Sequence, residues 1–140
     1  MKTVQKSMRI PEQTVEGIQD IARQWGKEFS SVAKELLEEG IRMHRCPGIV
    51  FSEGTGGRRR ARIAGAGIEV WEVVALYQSI EKDFKRLQQA LHWISEPQIR
   101  SALAYYRAYG EEIDQLITKN ENWTKENIDR SFPFLAGNTQ

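Results

Sequence analysis

A mainly α-helical chain is predicted, opening with one short strand and two helices that work as a dimer. A small helical domain follows, and then a weakly ordered tail. Three observations predict this. The first eleven residues alternate in polarity, apolar residues recur at helical spacing from Val15 to Ile117, and a glycine- and arginine-rich stretch at 46–67 interrupts that spacing.

The strand comes first. Val4, Met8 and Ile10 share one face at period two, and Thr3, Gln5, Ser7 and Arg9 share the other. Lys6 interrupts the apolar face, and Pro11 ends any ladder and suits a helix start. Val15, Ile18, Ile21, Ala22 and Trp25 then form one helical stripe, with Glu12 and Glu16 early and Gly26 as a stop. Ser30 or Ser31 is expected to cap a second helix whose apolar face is Val32, Ala33, Leu36, Leu37 and Ile41. Glu35, Glu38 and Glu39 read as its exposed face. It should fade near His44, before Pro47-Gly48.

These spacings divide the chain into residues 1–45, a linker or short hairpin at 46–67 with its extended part around Arg62-Ile63-Ala64, a helical domain at 68–119 and a tail at 120–140. In the helical domain, Val70, Val73, Val74 and Tyr77 mark one helix, and Phe84, Leu87 and Leu91 a shorter one. Ser95-Glu96-Pro97-Gln98 reads as a capping box before Ile99, Ala102, Leu103 and Tyr106. Gly110 breaks the pattern ahead of Ile113, Leu116 and Ile117.

Composition excludes several classes. No run approaches a membrane span, and the charged N-terminus lacks the apolar core of a secretory signal. The lone Cys46 fits a reducing cytoplasm. His44 and His92 have no carboxylate or serine companion at a catalytic spacing, His92 reading as a packing residue on a helix. The glycines at 54–57 lack the ending of a phosphate loop. No enzyme, metal or cofactor is expected. Net charge is +1 but uneven: residues 42–62 hold six arginines against Glu53, whereas residues 63–140 hold eleven acids and eight bases.

A lone strand in water needs a partner edge, and nothing else in the first 45 residues reads as one. Pairing with the same strand of a second copy gives an antiparallel ribbon whose outer face shows Gln5, Ser7 and Arg9. Such a ribbon enters a DNA major groove, where Arg reads guanine and Gln reads adenine. Free N–H groups at the second helix start would hold a phosphate.

Residues 2–44 resemble the ribbon-helix-helix family of bacterial repressors and antitoxins. The resemblance rests on Gln5-Lys6-Ser7-Met8-Arg9-Ile10, on Pro11-Glu12 and on the Gly26-Lys27-Glu28-Phe29-Ser30-Ser31 turn. It implies base readout by Gln5, Ser7 and Arg9, with phosphate contacts by Ser30 and Ser31. Lys2, Thr3 and Lys27 are assigned to phosphates beside them.

Residues 46–118 resemble the small, helix-turn-helix-like domain of VapB-like antitoxins encoded beside PIN-type ribonuclease toxins. Cys46-Pro47-Gly48-Ile49, Ile68-Glu69-Val70-Trp71 and Val73-Val74 carry this, together with Ala102-Leu103-Ala104-Tyr105-Tyr106 and Glu111-Glu112-Ile113. The arginine this family tends to carry at position 67 is Gly67 here. The expected function is therefore an antitoxin and sequence-specific autorepressor. Its expected partners are operator DNA, itself as a homodimer or higher oligomer, and a cognate PIN-type toxin. The alternative is a protein-interaction module that dimerises through its strand and binds no DNA.

Three regions stay open. Gln98, Arg100 and Ser101 would face a groove if residues 82–92 and 96–108 formed a second DNA reader, but the acidic balance favours a packing or protein-binding role. Arg58, Arg59, Arg60 and Arg62 read as contacts to DNA, as contacts to an acidic toxin, or as a solvated loop. Trp123, Phe132, Phe134 and Leu135 read either as toxin-binding anchors or as cover for their own domain.

Overall fold

The computed structural model describes residues 2–54 and 58–120, with six helices and one two-stranded sheet among them. The chain divides into two compact units, Met1–Ile41 and Arg42–Gln140. No helix among the described residues is long and apolar enough to cross a membrane.

In the first unit, residues 2–11 carry no helix and no ladder. Helix α1 spans Glu12–Trp25. The Pro11 carbonyl accepts the N–H groups of Thr14 and Val15, so proline serves where its own missing donor costs nothing. The helix ends on Gly26, which is left-handed at φ 63°, and Lys27 N–H returns to the Ala22 carbonyl at 3.0 Å. Helix α2 spans Phe29–Arg45 and continues into the second unit.

Among the described apolar residues of this unit, only Ala22 and Val32 are buried. Val4 is 73% exposed, Met8 68%, Leu37 60% and Ile41 50%. A unit of this size cannot offset its chain entropy with so little buried surface, so a single copy lacks a sufficient core of its own.

The second unit holds a genuine core. Strand β1 (Ile49–Glu53) pairs antiparallel with β2 (Arg59–Ile63), in the register Ile49↔Ile63, Phe51↔Ala61 and Glu53↔Arg59. Ile49, Ala61 and Ile63 point inward and are buried. The stretch read from the sequence as linker or hairpin is thus a hairpin that packs into the core. Arg62 and Ile63 of the expected extended part lie in β2, whereas Ala64 already begins the turn at 64–66. That turn closes with Ile63 N–H on the Ile68 carbonyl at 3.0 Å.

Helix α3 (Val70–Ser79) is buried at Val70, Trp71, Val73, Val74, Ala75 and Leu76. A helix apolar on nearly every side belongs at the centre of a fold. Around it pack the hairpin, α4 (Phe84–Ala90), α5 (Glu96–Ala108) and α6 (Gly110–Lys119). The Glu72 carboxylate accepts the Glu69 N–H at the start of α3, and Asp83 caps α4. Ser95 and Gln98 form the predicted capping box at α5, with Pro97 in its first turn. Glu111 and Glu112 lie in the first turn of α6, where the helix dipole favours acids.

Candidate functional site

The first unit presents the residues predicted to meet DNA. Lys2, Thr3, Gln5, Ser7 and Arg9 are all exposed, as are Ser30 and Ser31. The serines are not the cap that the sequence suggested. The Glu28 carbonyl accepts the Val32 N–H at 3.1 Å, so α2 begins at Phe29 and both serines sit inside its first turn. The left-handed Gly26 turns the chain early enough for the helix to start there. The N–H groups of residues 29–31 therefore have no acceptor within the helix. Lys27 lies 2.9 Å from Glu35 and 5.8 Å from the Trp25 ring centroid, so its charge is partly spent within the unit. Glu39, read as part of an exposed acidic face, is buried.

The second unit separates the arginines that the sequence groups. Period two along β2 sends Arg59 to one side and Arg60 and Arg62 to the other. Arg58 is exposed. Arg59 donates to the Phe51 carbonyl at 3.2 Å. The Arg60 side chain is only 12% exposed, and its Nη1 lies 3.9 Å from Glu69 Oε2. Arg62 reaches Ser52 Oγ at 3.4 Å.

Glu69 anchors this outer side of the hairpin. Its Oε2 also accepts from Trp71 Nε1 at 3.0 Å. Gly54 approaches so closely that a Cβ there would stand 2.7 Å from Glu69 Oε1 and 2.8 Å from Arg60 Cδ. Glu72 accepts the Glu69 N–H at 3.1 Å. Burial, reinforced by the neighbouring Glu69 charge, raises the Glu72 carboxyl above its ordinary range, against the pull of the Glu69 N–H, Arg62 and Arg60.

A second polar cluster lies where the start of this unit meets α5 and α6. Arg42 bonds to Glu112 and donates to the Tyr105 hydroxyl at 3.0 Å, and that hydroxyl donates to Glu112 Oε2 at 2.6 Å. The Arg42 guanidinium lies 4.6 Å from the Tyr109 ring centroid. Burial works against the charged form of Arg42, but Glu112 and then Tyr105 outweigh it and hold the guanidinium above its ordinary range. Burial, then the hydrogen bond to Glu112 and its charge, pushes the Tyr105 phenol up, so it remains a donor at any physiological pH. Phe51 packs edge-on against Tyr105 at 6.3 Å.

The α5 residues considered for a groove are engaged locally. Gln98 Nε2 donates to the Ala64 carbonyl at 3.2 Å while its oxygen accepts from Ser95. Arg100 pairs with Glu96 at 2.7 Å and stacks over Phe84, and Ser101 donates to the Pro97 carbonyl. His92 is exposed in the turn after α4, edge-on to Trp93, rather than packed on a helix. The Cys46 thiol is buried, and that burial raises it against the pull of Arg45 and Arg42, which keeps it protonated. Trp123, Phe132, Phe134 and Leu135 lie outside the described residues.

No protein family, no curated protein and no solved structure matches this chain. Sequence reasoning missed both polar clusters. The Glu69–Glu72 pair did leave a signal, an acid three residues before another at the head of an apolar run. Arg42 and Tyr105 left none, since their bond spans sixty-three residues.

Proposed function

We propose that this chain is a homodimeric, DNA-binding autorepressor and the antitoxin of a PIN-type ribonuclease, acting in the cytoplasm. The observation that carries the DNA-binding half is the first unit's surface. Val4, Met8 and Ile10 are exposed, as are Leu37 and Ile41 of α2, in a unit with almost no core. A second copy is the cheapest cover for that apolar face, because pairing residues 2–10 with their counterpart would satisfy the free backbone groups as well. The alternating residues Gln5, Ser7 and Arg9 would then face outward from the ribbon. The unbonded N–H groups of residues 29–31 support a phosphate contact at the start of α2.

The antitoxin half rests on the sequence resemblance of residues 46–118. Its test is whether the neighbouring gene encodes a PIN-type ribonuclease, and whether that protein co-purifies with the full chain. Loss of ribonuclease inhibition when this chain is omitted, and its return on addition, is the expected result.

The DNA-binding half is tested by gel shift on the DNA upstream of the gene. Gln5→Ala with Arg9→Ala should weaken specific binding, each lost reader costing ~1–3 kcal/mol. Unchanged affinity would overturn the ribbon assignment.

The internal engagement of Arg60, Arg62, Gln98 and Arg100 favours a protein-binding over a DNA-binding role for the second unit. If the whole chain were only such a module, its binding would barely change with salt, whereas DNA binding falls steeply as salt rises.

A further inference from the structure

We infer that the second unit holds a site for a small organic anion, one carboxylate joined to an apolar group about the size of a phenyl ring. The site is a cavity of about 180 Å³ between the hairpin and α6. Phe51, Ala61 and Leu116 give it apolar walls, and Arg58, Arg59, Arg60 and Lys119 are its cations. An apolar cavity of ~150 Å³ accepts a benzene ring, so the volume suits one ring or one branched chain.

Charge selects the rest of the ligand. The acid in the lining, Glu112, is already held by Arg42 and by the Tyr105 hydroxyl, so its charge is compensated from behind. Arg60 is matched by Glu69. Arg58 and Lys119 are exposed, so a carboxylate can reach them from solvent. Arg59 is held in place by its bond to the Phe51 carbonyl, which keeps a guanidinium beside the aromatic wall. Apolar walls with a few convergent polar groups are the usual make-up of a small-ligand site. The site belongs wholly to the second unit and does not depend on the DNA-binding reading.

The test is a titration of the full chain, followed by calorimetry and by amide chemical shifts. The probes are phenylacetate, phenylacetamide, inorganic phosphate and N-acetylphenylalanine. Phenylacetate should bind saturably and move the signals of Phe51, Leu116 and Lys119. The neutral amide should bind at least about tenfold more weakly, as should phenylacetate to Arg58→Glu or Lys119→Glu, which is the scale of one charge-assisted hydrogen bond. Circular dichroism of these surface variants checks that the fold is kept. Tighter binding of N-acetylphenylalanine than of phenylacetate assigns the site to a peptide C-terminus, and the reverse assigns it to a free acid. Equal binding of the amide, phosphate binding as tight as phenylacetate, indifference to both charge reversals, or no saturation by ~10 mM ligand would each overturn the assignment.

Discussion

Tyr105 donates its phenolic proton to Glu112 across 2.6 Å, joining α5 to α6 in the second unit. The same hydroxyl accepts from Arg42, so one fully buried side chain ties the last turn of α2 to both helices. Tyr105→Phe keeps the ring contacts with Phe51 and Tyr109 and removes only the oxygen. It should lower stability by ~1–2 kcal/mol, because Glu112 keeps Arg42 while both lose one partner. Urea melts of Tyr105→Phe, Glu112→Gln and the double variant measure the coupling. Additive single effects would show that the two residues act independently.

Glu72 gives a pH dependence with a definite sign. Its carboxyl is raised in the folded chain, chiefly by burial. Below the ordinary carboxylate range both folded and unfolded chains hold the proton, and nothing is lost. As pH rises, the unfolded chain ionises first, and stability falls until the raised folded value is passed. Glu72→Gln keeps an oxygen for the Glu69 N–H but cannot ionise. It should therefore flatten that fall and be at least as stable as the parent near pH 7, with the advantage gone near pH 4. Melts across that range check it, and identical pH slopes for the two proteins would contradict it.

Helical spacing predicted α1 and α5 closely because each has one clear apolar stripe and a strong stop or cap: Gly26 in one case, Ser95 and Gln98 in the other. The hairpin was harder to read. Its core side carries Ala61, too small to show against the flanking arginines, and its four arginines look like one cluster until alternation separates them. The α2 start was misplaced because two serines suggested a cap, while the left-handed Gly26 let Glu28 take that role. Arg42 and Glu112 are far apart in sequence and sit among ordinary exposed charges there. Only packing distinguishes them from Arg100 and Glu96, which pair on the surface.

The loop between α3 and α4 turns through two consecutive left-handed residues that are not glycine, Glu81 at φ 58° and Lys82 at φ 59°. Each sets its Cβ against the following carbonyl, at a cost of ~1–2 kcal/mol. Lys82→Gly removes that clash and adds disorder to the unfolded chain, which offsets part of the gain. The net expectation is a stability rise of up to ~1 kcal/mol. Lys82→Val should lower stability, since a β-branched side chain tolerates this region worst. Thermal melts of the pair decide it, and a loss with glycine would mean that the lysine side chain makes a contact worth more than its strain.

Met8 and Leu37 separate the two accounts of the first unit. In a single chain both are exposed, and an exposed apolar residue changed to lysine costs little, within about 0.5 kcal/mol. If a second copy covers them, the same change would bury a charge without a partner, which is strongly unfavourable. Met8→Lys and Leu37→Lys should therefore each shift the chain from dimer to monomer at micromolar concentration in sedimentation. They should also abolish specific DNA binding, because a lone ribbon strand cannot hold two sets of Gln5, Ser7 and Arg9 in one groove. Gln5→Lys, on the opposite face, should leave the dimer intact, which separates loss of pairing from loss of readout. A dimer indifferent to both lysines would place the self-association surface elsewhere, and a parent protein that stays monomeric throughout would remove the physical basis of the ribbon.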